Sequence, residues 1–258
     1  MSHLNQFIQH CHNNLNLRNT EVDRANIYLR ETRGINKDSI RLHKIGYCLK
    51  DDEIPNEIKF YGKEVKEGDD GYSYFITGRL IVPVYDEFGK AVGFATRKPT
   101  TEPGNSWWNC PFKKGNHLFL LDKSRQDIFK GNKIYLVEGY VDALVLHQYG
   151  LKGTVSLMGT KLSPRKVGLI ARYCDNVCIC LDVDENKAGQ NAQKKIIHDL
   201  RNFDFCESIS VIEGLPTGVD PDDYVIKNGL KDLLAMERKL SESEIIKIYK
   251  EVEADERS

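Results

Sequence analysis

Two short apolar runs, each ending in acid, constrain this chain more than any other feature. The first is Ile134-Tyr135-Leu136-Val137, followed by Glu138-Gly139-Tyr140-Val141-Asp142. The second is Val177-Cys178-Ile179-Cys180-Leu181, followed by Asp182-Val183-Asp184. Both are apolar throughout and partly β-branched or aromatic, the pattern of strands buried on both faces. Between them lie two amphipathic stretches, Tyr140 to Tyr149 and Pro164 to Tyr173. Strand, helix, strand, helix, strand reads as a right-handed parallel α/β unit. Open parallel sheets gather ligands outside the carboxyl ends of their strands. Glu138 and Asp182 both fall at that edge. The cluster Asp220-Pro221-Asp222-Asp223 follows the expected strand Ser208 to Ile212 after a short loop, and reaches the same edge.

Carboxylates brought together repel, and some take up protons unless a cation is present. A hard divalent cation removes the conflict, and carboxylates are ligands that Mg²⁺ or Mn²⁺ prefers. The Cys and His residues form no matching cluster, so zinc is not expected. Mg²⁺ held by few protein ligands keeps positions for water and phosphate oxygens, the usual arrangement for phosphoryl transfer. Taken singly, each acidic motif has a plainer explanation. A strand-end Glu is usually solvated, Asp-x-Asp is turn chemistry, and Asp-Pro-Asp-Asp starts a helix. Three acidic groups in order at one rim of one sheet are hard to obtain by accident.

These residues carry a family resemblance. Glu138-Gly139-Tyr140-Val141-Asp142-Ala143, Asp182-Val183-Asp184 with Ala188-Gly189, and Asp220-Pro221-Asp222 resemble the TOPRIM motif set, in the version of bacterial-type, DnaG-like primases. Ser156-Leu157-Met158-Gly159-Thr160 resembles that family's segment between the acidic motifs. Upstream, Arg79 to Val84 with Gly89, Gly93-Phe94 and Arg97 resembles the primase core hairpin. Trp107-Trp108-Asn109-Cys110-Pro111 with Lys114-Gly115 resembles the template-binding segment. Tyr28-Leu29 to Arg33-Gly34-Ile35 and Ile45-Gly46-Tyr47 resemble the start of the core. One departure stands out: the family carries a Lys before the aromatic, where this chain has Ser106.

The resemblance implies an α/β fold: a TOPRIM parallel sheet flanked by helices, a mixed α+β N-terminal half and a helical C-terminal tail. The expected division is 1–131 for template binding, 132–215 for the TOPRIM catalytic part and 216–258 for the C-terminal helices. It implies a DNA-dependent RNA primase that makes short RNA primers on single-stranded DNA from ribonucleoside triphosphates. Glu138, Asp182, Asp184, Asp220 and Asp222 would hold Mg²⁺ (or Mn²⁺), with Glu138 and Asp182 central to catalysis. Asp142, one helical turn from Glu138, would orient it or carry a water. Arg97, Trp107, Asn109 and Lys114 would hold the template, and Lys187 lies where it could meet a triphosphate. Two other readings stay open: a TOPRIM nuclease, which the acidic set would serve equally, and a non-catalytic single-strand-binding module at a replication fork.

Charge distribution bears on the partner. The net charge of -1 makes no global case for nucleic acid. Between Arg79 and Lys133, however, ten Lys or Arg face five Asp or Glu. The basic excess thus sits just ahead of the acidic cluster, as expected if one part grips a polyanion and the next holds metal. Aromatics in that setting suit base stacking on a single strand, worth ~1–3 kcal/mol per base.

At 258 residues, this is one domain or two tightly joined subdomains that need no disulfide staples. Seven scattered cysteines, without Cys-x-x-Cys spacing, suit a reducing cytoplasm. With no signal peptide or long apolar run, no membrane role is expected, and a monomer is anticipated. DnaG-like primases usually carry an N-terminal zinc ribbon and a C-terminal helicase-binding domain. This chain offers no paired ligands for the first, and about thirty-five residues follow its acidic motifs. It is therefore expected to be a trimmed core or a minimal enzyme of the phage or mobile-element type. Its partners would include a replicative helicase or a separate zinc-bearing subunit.

Locally, residues 2 to 19 show a weak helical pattern. Thr20 could cap a helix over Glu21 to Thr32 ended by Gly34, with a second short helix from Asp38 to His43. Residues 51 to 71 read as a loop-rich surface. Leu80 to Tyr85 and Ala91 to Arg97 form a hairpin around Asp86 to Lys90. One of Trp107 and Trp108 is expected to be buried and the other exposed. Gly189 to Phe203 is a helix, and Ser241 with Glu244 is a capping box for a final helix whose stripe, Ile245, Ile246, Tyr249 and Val252, packs on the core.

Overall fold

The computed structural model describes residues 2–64, 66–102, 104, 106–183, 188–203 and 205–255. Two compact units emerge. The first is Met1–Tyr85 with Lys90–Lys113, and the second is Asp86–Gly89 with Lys114–Ser258.

The first unit is built on an antiparallel sheet of β1 (Gly46–Cys48), β2 (Arg79–Tyr85), β3 (Ala91–Arg97) and β4 (Trp108–Asn109), in that order. β2 and β3 are the expected hairpin, in register Ile81 to Thr96 and Pro83 to Phe94. Helix α1 (His3–Asn14) is better formed than its sequence suggests. Ser2 caps it, accepting from the Asn5 N–H at 3.3 Å. Its apolar residues fall at Leu4, Phe7, Ile8 and Cys11, one helical face. That face meets Ile81 and Phe94 of the sheet in the unit's core. Gly46 permits the contact, since a Cβ there would come within 2.5 Å of the Cys11 backbone.

Helix α2 (Thr20–Ile27) starts one residue earlier than expected because Asn19, not Thr20, caps it, accepting from the Glu21 N–H at 2.7 Å. The helix then widens into a π turn over Tyr28–Thr32 before Gly34, at φ +62°, ends it. Asn36 caps α3 (Lys37–Leu42), and α4 (Asn56–Lys59) interrupts the surface stretch.

The second unit is the α/β unit. Helix α5 (Leu121–Gly131) leads into β5 (Lys133–Val137), α6 (Tyr140–Gln148), β6 (Thr154–Ser156), α7 (Pro164–Ile170), β7 (Asn176–Ile179), α8 (Ala188–Asn202) and β8 (Ser208–Ile212). Helices α9 (Pro221–Asn228) and α10 (Leu230–Ala235), strand β9 (Glu237–Lys239) and helix α11 (Glu242–Asp255) follow. The sheet order is β6-β5-β7-β8-β9, with β9 antiparallel on an otherwise parallel sheet. The C-terminal stretch therefore contributes an edge strand as well as helices.

Alternate strand residues Ile134 and Leu136, Val177 and Ile179, and Ile209 and Val211 enter one core with Leu121, Ile128, Ile196 and Leu200 from the helices. Helix α6 is not amphipathic as read. Tyr140 and all of Asp142 to His147 are buried, so it is a core helix carrying two polar side chains inside. No helix among the described residues is long and apolar enough to cross a membrane.

Candidate active site

Glu138 and Asp182 leave neighbouring parallel strands at the same edge. Leu136 of β5 is level with Ile179 of β7, and the Cys180 N–H donates to the Leu136 carbonyl at 2.9 Å. Glu138 thus lies two residues past the last β5 residue paired with β7, and Asp182 three past its partner on β7. The third acidic segment is tied to the second: the Gly218 N–H donates to the Val183 carbonyl at 2.8 Å. This bond brings Asp220, at the start of α9, to the same rim.

Asp142 fastens the arrangement. One carboxylate oxygen accepts from the Gly139 N–H at 3.0 Å, closing the first turn of α6. The other accepts from the Asp222 N–H at 3.4 Å, joining α6 to α9. Asp142 and Asp222 are both buried. Burial pushes both carboxyls well above the usual range, and the negative charge of Asp182 on Asp142, and of Asp142 on Asp222, adds to it.

Carboxylate oxygens of Asp220, Asp222 and Asp223 lie within 4.8 Å of one another. Among the described residues this is the tight three-acid group; Glu138 and Asp182 share the edge but stand outside it. An all-oxygen donor set of crowded acids fits a hard divalent cation, whose charge relieves the crowding. Two glycines give the acids room. A Cβ at Gly189 would lie 1.9 Å from the Asp182 carbonyl, and one at Gly139 would lie 2.6 Å from the Asp142 carboxylate.

A clasp surrounds the Glu138 backbone. Its carbonyl accepts from the Ser156 hydroxyl at 2.8 Å and from the Gly159 N–H at 3.1 Å. The clasp turns sharply, with Met158 at φ +57° and Gly159 at φ +133°. Lys166, buried on α7, donates its ammonium to the Leu157 and Lys161 carbonyls and so holds the clasp from behind. Burial, and then the nearby Lys114, pushes the Lys166 ammonium down to about 8. Lys114 itself lies beside Gly159, 3.7 Å from where a Cβ would be.

The remaining expected residues divide accordingly. Lys114 stands with the Glu138 clasp in the second unit. Arg97, Trp107 and Asn109 stand in the first. There the Arg97 guanidinium lies 5.7 Å over the Trp107 ring and donates to the Tyr28 hydroxyl at 3.0 Å. Asn109 is level with Ala95 across β3 and β4. Both tryptophans are half-buried, so the expected contrast between them is absent. Asp184 and Lys187 lie outside the described residues. Asp223 joins the expected ligands, displayed by the Asp-Pro-Asp-Asp run itself. Lys166 joins the site without any signal of its burial in the local pattern.

Comparison with known proteins matches residues 12–125 to the DNA primase catalytic core, N-terminal domain, and residues 135–225 to a Toprim-like domain. The chain belongs to the family of DnaG-type primase catalytic cores. A DNA primase of Synechococcus elongatus is 30% identical over 234 residues, covering 84% of this chain and 34% of that protein. The Aquifex aeolicus primase, solved with its zinc-binding and RNA polymerase domains, superposes with a TM-score of 0.75 at 26% identity, over 92% of this chain and 60% of that one. A DnaG primase catalytic domain bound to single-stranded DNA superposes with a TM-score of 0.68 at 26% identity, over 91% of this chain and 81% of that one. The chain spans about a third of the length of the curated relatives it matches, which are covered at 34%. The primase-core fold accounts for both units: the antiparallel sheet β1-β2-β3-β4 and the mostly parallel sheet with flanking helices.

Proposed function

We propose that this chain synthesises RNA primers on single-stranded DNA by metal-dependent nucleotidyl transfer. The observation that carries the reading is the convergence of Glu138, Asp182 and the Asp220, Asp222 and Asp223 group at one sheet edge. Similarity to a primase domain solved with single-stranded DNA supports the choice of template.

Glu138, Asp182, Asp220, Asp222 and Asp223 would hold Mg²⁺, or Mn²⁺, with Asp184 as a further ligand. Bound there, the cation would neutralise phosphate charge and favour attack of a primer-end or first-nucleotide hydroxyl on the α-phosphate, breaking the α–β phosphoanhydride bond and releasing pyrophosphate. Asp142 acts as a positioning residue, because both of its oxygens are engaged by backbone N–H groups of the two acidic segments. The Ser156 to Lys161 clasp fixes the Glu138 backbone. Lys114 beside it, with Lys187, would meet triphosphate oxygens. Arg97, Trp107 and Asn109 would grip the template. In this division, residues 1–131 serve the template, with Lys114 reaching the triphosphate, 132–215 carry the first two acidic segments and 216–258 supply the third. Rate enhancement comes from positioning and charge neutralisation, with no covalent intermediate. A helicase or a zinc-bearing subunit would direct the enzyme to its start sites.

The test incubates the protein with single-stranded DNA, ribonucleoside triphosphates and Mg²⁺ or Mn²⁺. Short RNA products that vanish in Asp182→Ala are expected. Template cleavage without synthesis would establish the nuclease instead, and unchanged strand binding with neither product would establish a binding module.

A further inference from the structure

The aromatic rings of the first unit form a graded stack that ends in solvent. Phe94 lies fully buried at its base. Trp108 on β4 sits above it, with ring centroids 6.3 Å apart. Phe75 stacks on Trp108 at 5.3 Å with an 11° angle between planes. Tyr74 then meets Phe75 edge-on at 5.3 Å. Exposure rises along the series to 39% at Phe75 and 72% at Tyr74. Phe94 and Trp108 earn their place as core, but a tyrosine ring this exposed adds little to it. Adjacent exposed aromatics rimmed by polar groups mark contact surfaces.

The turn that carries the outer rings is held firmly. Phe75 and Tyr74 belong to a short 3₁₀ turn, Ser73–Phe75. The Phe75 carbonyl accepts from the Thr96 hydroxyl at 2.7 Å. That hydroxyl in turn accepts from the buried Arg79 guanidinium at 2.8 Å. Arg79 also donates to the Ser106 carbonyl at 3.2 Å, just before the two tryptophans. One buried cation therefore ties the turn to the Trp107-Trp108 segment. Burying a guanidinium is costly, and here its hydrogen bonds fix the stack's geometry.

Cations alternate with the rings. The Lys98 ammonium lies 5.8 Å over the Tyr74 ring, and Lys63 lies 5.0 Å over Tyr72, which itself contacts Trp108. Arg97 lies over Trp107. Flat apolar faces interleaved with positive charge match a polyanion whose bases are unpaired, because a duplex keeps its base faces covered.

We propose that Tyr74, backed by Phe75 and Trp108, is a stacking platform for an unpaired base of a single strand, with Lys98 and Arg97 at the flanking phosphates. Naming that strand the template rests on the primase reading; the stacking itself does not.

The test is fluorescence-anisotropy titration of the whole chain with labelled oligodeoxythymidine and with the same sugar-phosphate chain lacking bases, without metal or ribonucleotides. Tyr74→Ala should weaken binding of the base-bearing strand about tenfold, the loss of one stacked base, and leave the abasic strand within about twofold. Tyr74→Phe should restore the base-bearing affinity, because it keeps the ring. Lys98→Ala should weaken both strands alike and reduce the salt dependence. Because Tyr74 is so exposed, its loss does not threaten the fold. Equal losses on both strands would overturn the proposal, as would unchanged affinity in Tyr74→Ala or a parent chain that binds neither strand. Unchanged binding in Tyr74→Ala alongside primer synthesis abolished by Asp182→Ala would sink the stack alone and leave the polymerising reading standing.

Discussion

Gly189 stands where a side chain cannot. A Cβ would fall 1.9 Å from the Asp182 carbonyl oxygen, which is backbone and has nowhere to retreat. We expect Gly189→Ala to cost ~1–3 kcal/mol, the usual range for overpacking, seen as a lower urea midpoint at unchanged slope. A change below about 0.5 kcal/mol, the level of ordinary surface substitutions, would contradict the close approach. His147, buried on α6, is pushed by burial, and then by Lys152, from its ordinary 6.5 down to about 4. Between those values the unfolded chain binds the proton and the folded chain does not. His147 therefore leaves stability intact above pH 6.5, lowers it as pH falls toward 4, and adds no further loss below that. The total is at most ~3 kcal/mol. Denaturant titrations across this window should show a shallower loss in His147→Leu than in the parent; parallel curves would refute the assignment. At this scale Glu138 and Asp182 were legible because a strand-end acid needs only a strand for its placement. For Asp142 an orienting role was legible, but its tie to Asp222 was not, since that N–H lies 80 residues along the chain.

Elements were legible in proportion to their length and their independence from neighbours. Ser208 to Ile212 and the β2–β3 hairpin stand as read, because alternation and apolar runs dictate them. The short strands β4, β6 and β9 carry too few residues for a pattern and exist because the sheet edge pairs with them. The last helix shows both sides. Its capping box forms, with the Ser241 N–H donating to Glu244 at 2.8 Å and the Glu244 N–H donating to the Ser241 hydroxyl at 3.3 Å. Of its expected stripe, Ile245 and Val252 are buried while Ile246 is exposed, because α11 rests on α8 along a narrower line than the stripe allows. Tyr249 instead stacks on His198 of α8, with ring centroids 4.6 Å apart. We expect Ser241→Ala to cost ~1 kcal/mol, the usual value of an N-cap, and to lower the melting temperature by about 2–4 °C. No shift in a calorimetric scan would show that the cap contributes nothing.

For the whole molecule, the charge pattern becomes clearer once the units are seen. Of the ten cations between Arg79 and Lys133, five belong to the first unit with the single acid Glu102. The other five belong to the second unit, alongside four acids. The basic excess is thus concentrated in the unit that carries the aromatic stack, a partition that no linear count reveals. The acidic centre belongs wholly to the second unit, where parallel pairing, the Gly218 to Val183 bond and Asp142 bring its segments together. Such a crowded centre should gain stability from the cation it fits, through ordinary mass action. The most direct measurement is calorimetric titration of Mn²⁺ into the parent chain and into Glu138→Gln, Asp182→Ala and Asp222→Asn. We expect saturable binding in the parent, weakened at least about tenfold in each variant, because acids from three separate segments share one ion's field. Parent affinity retained in all three variants would contradict a common metal centre, and with it the polymerising chemistry.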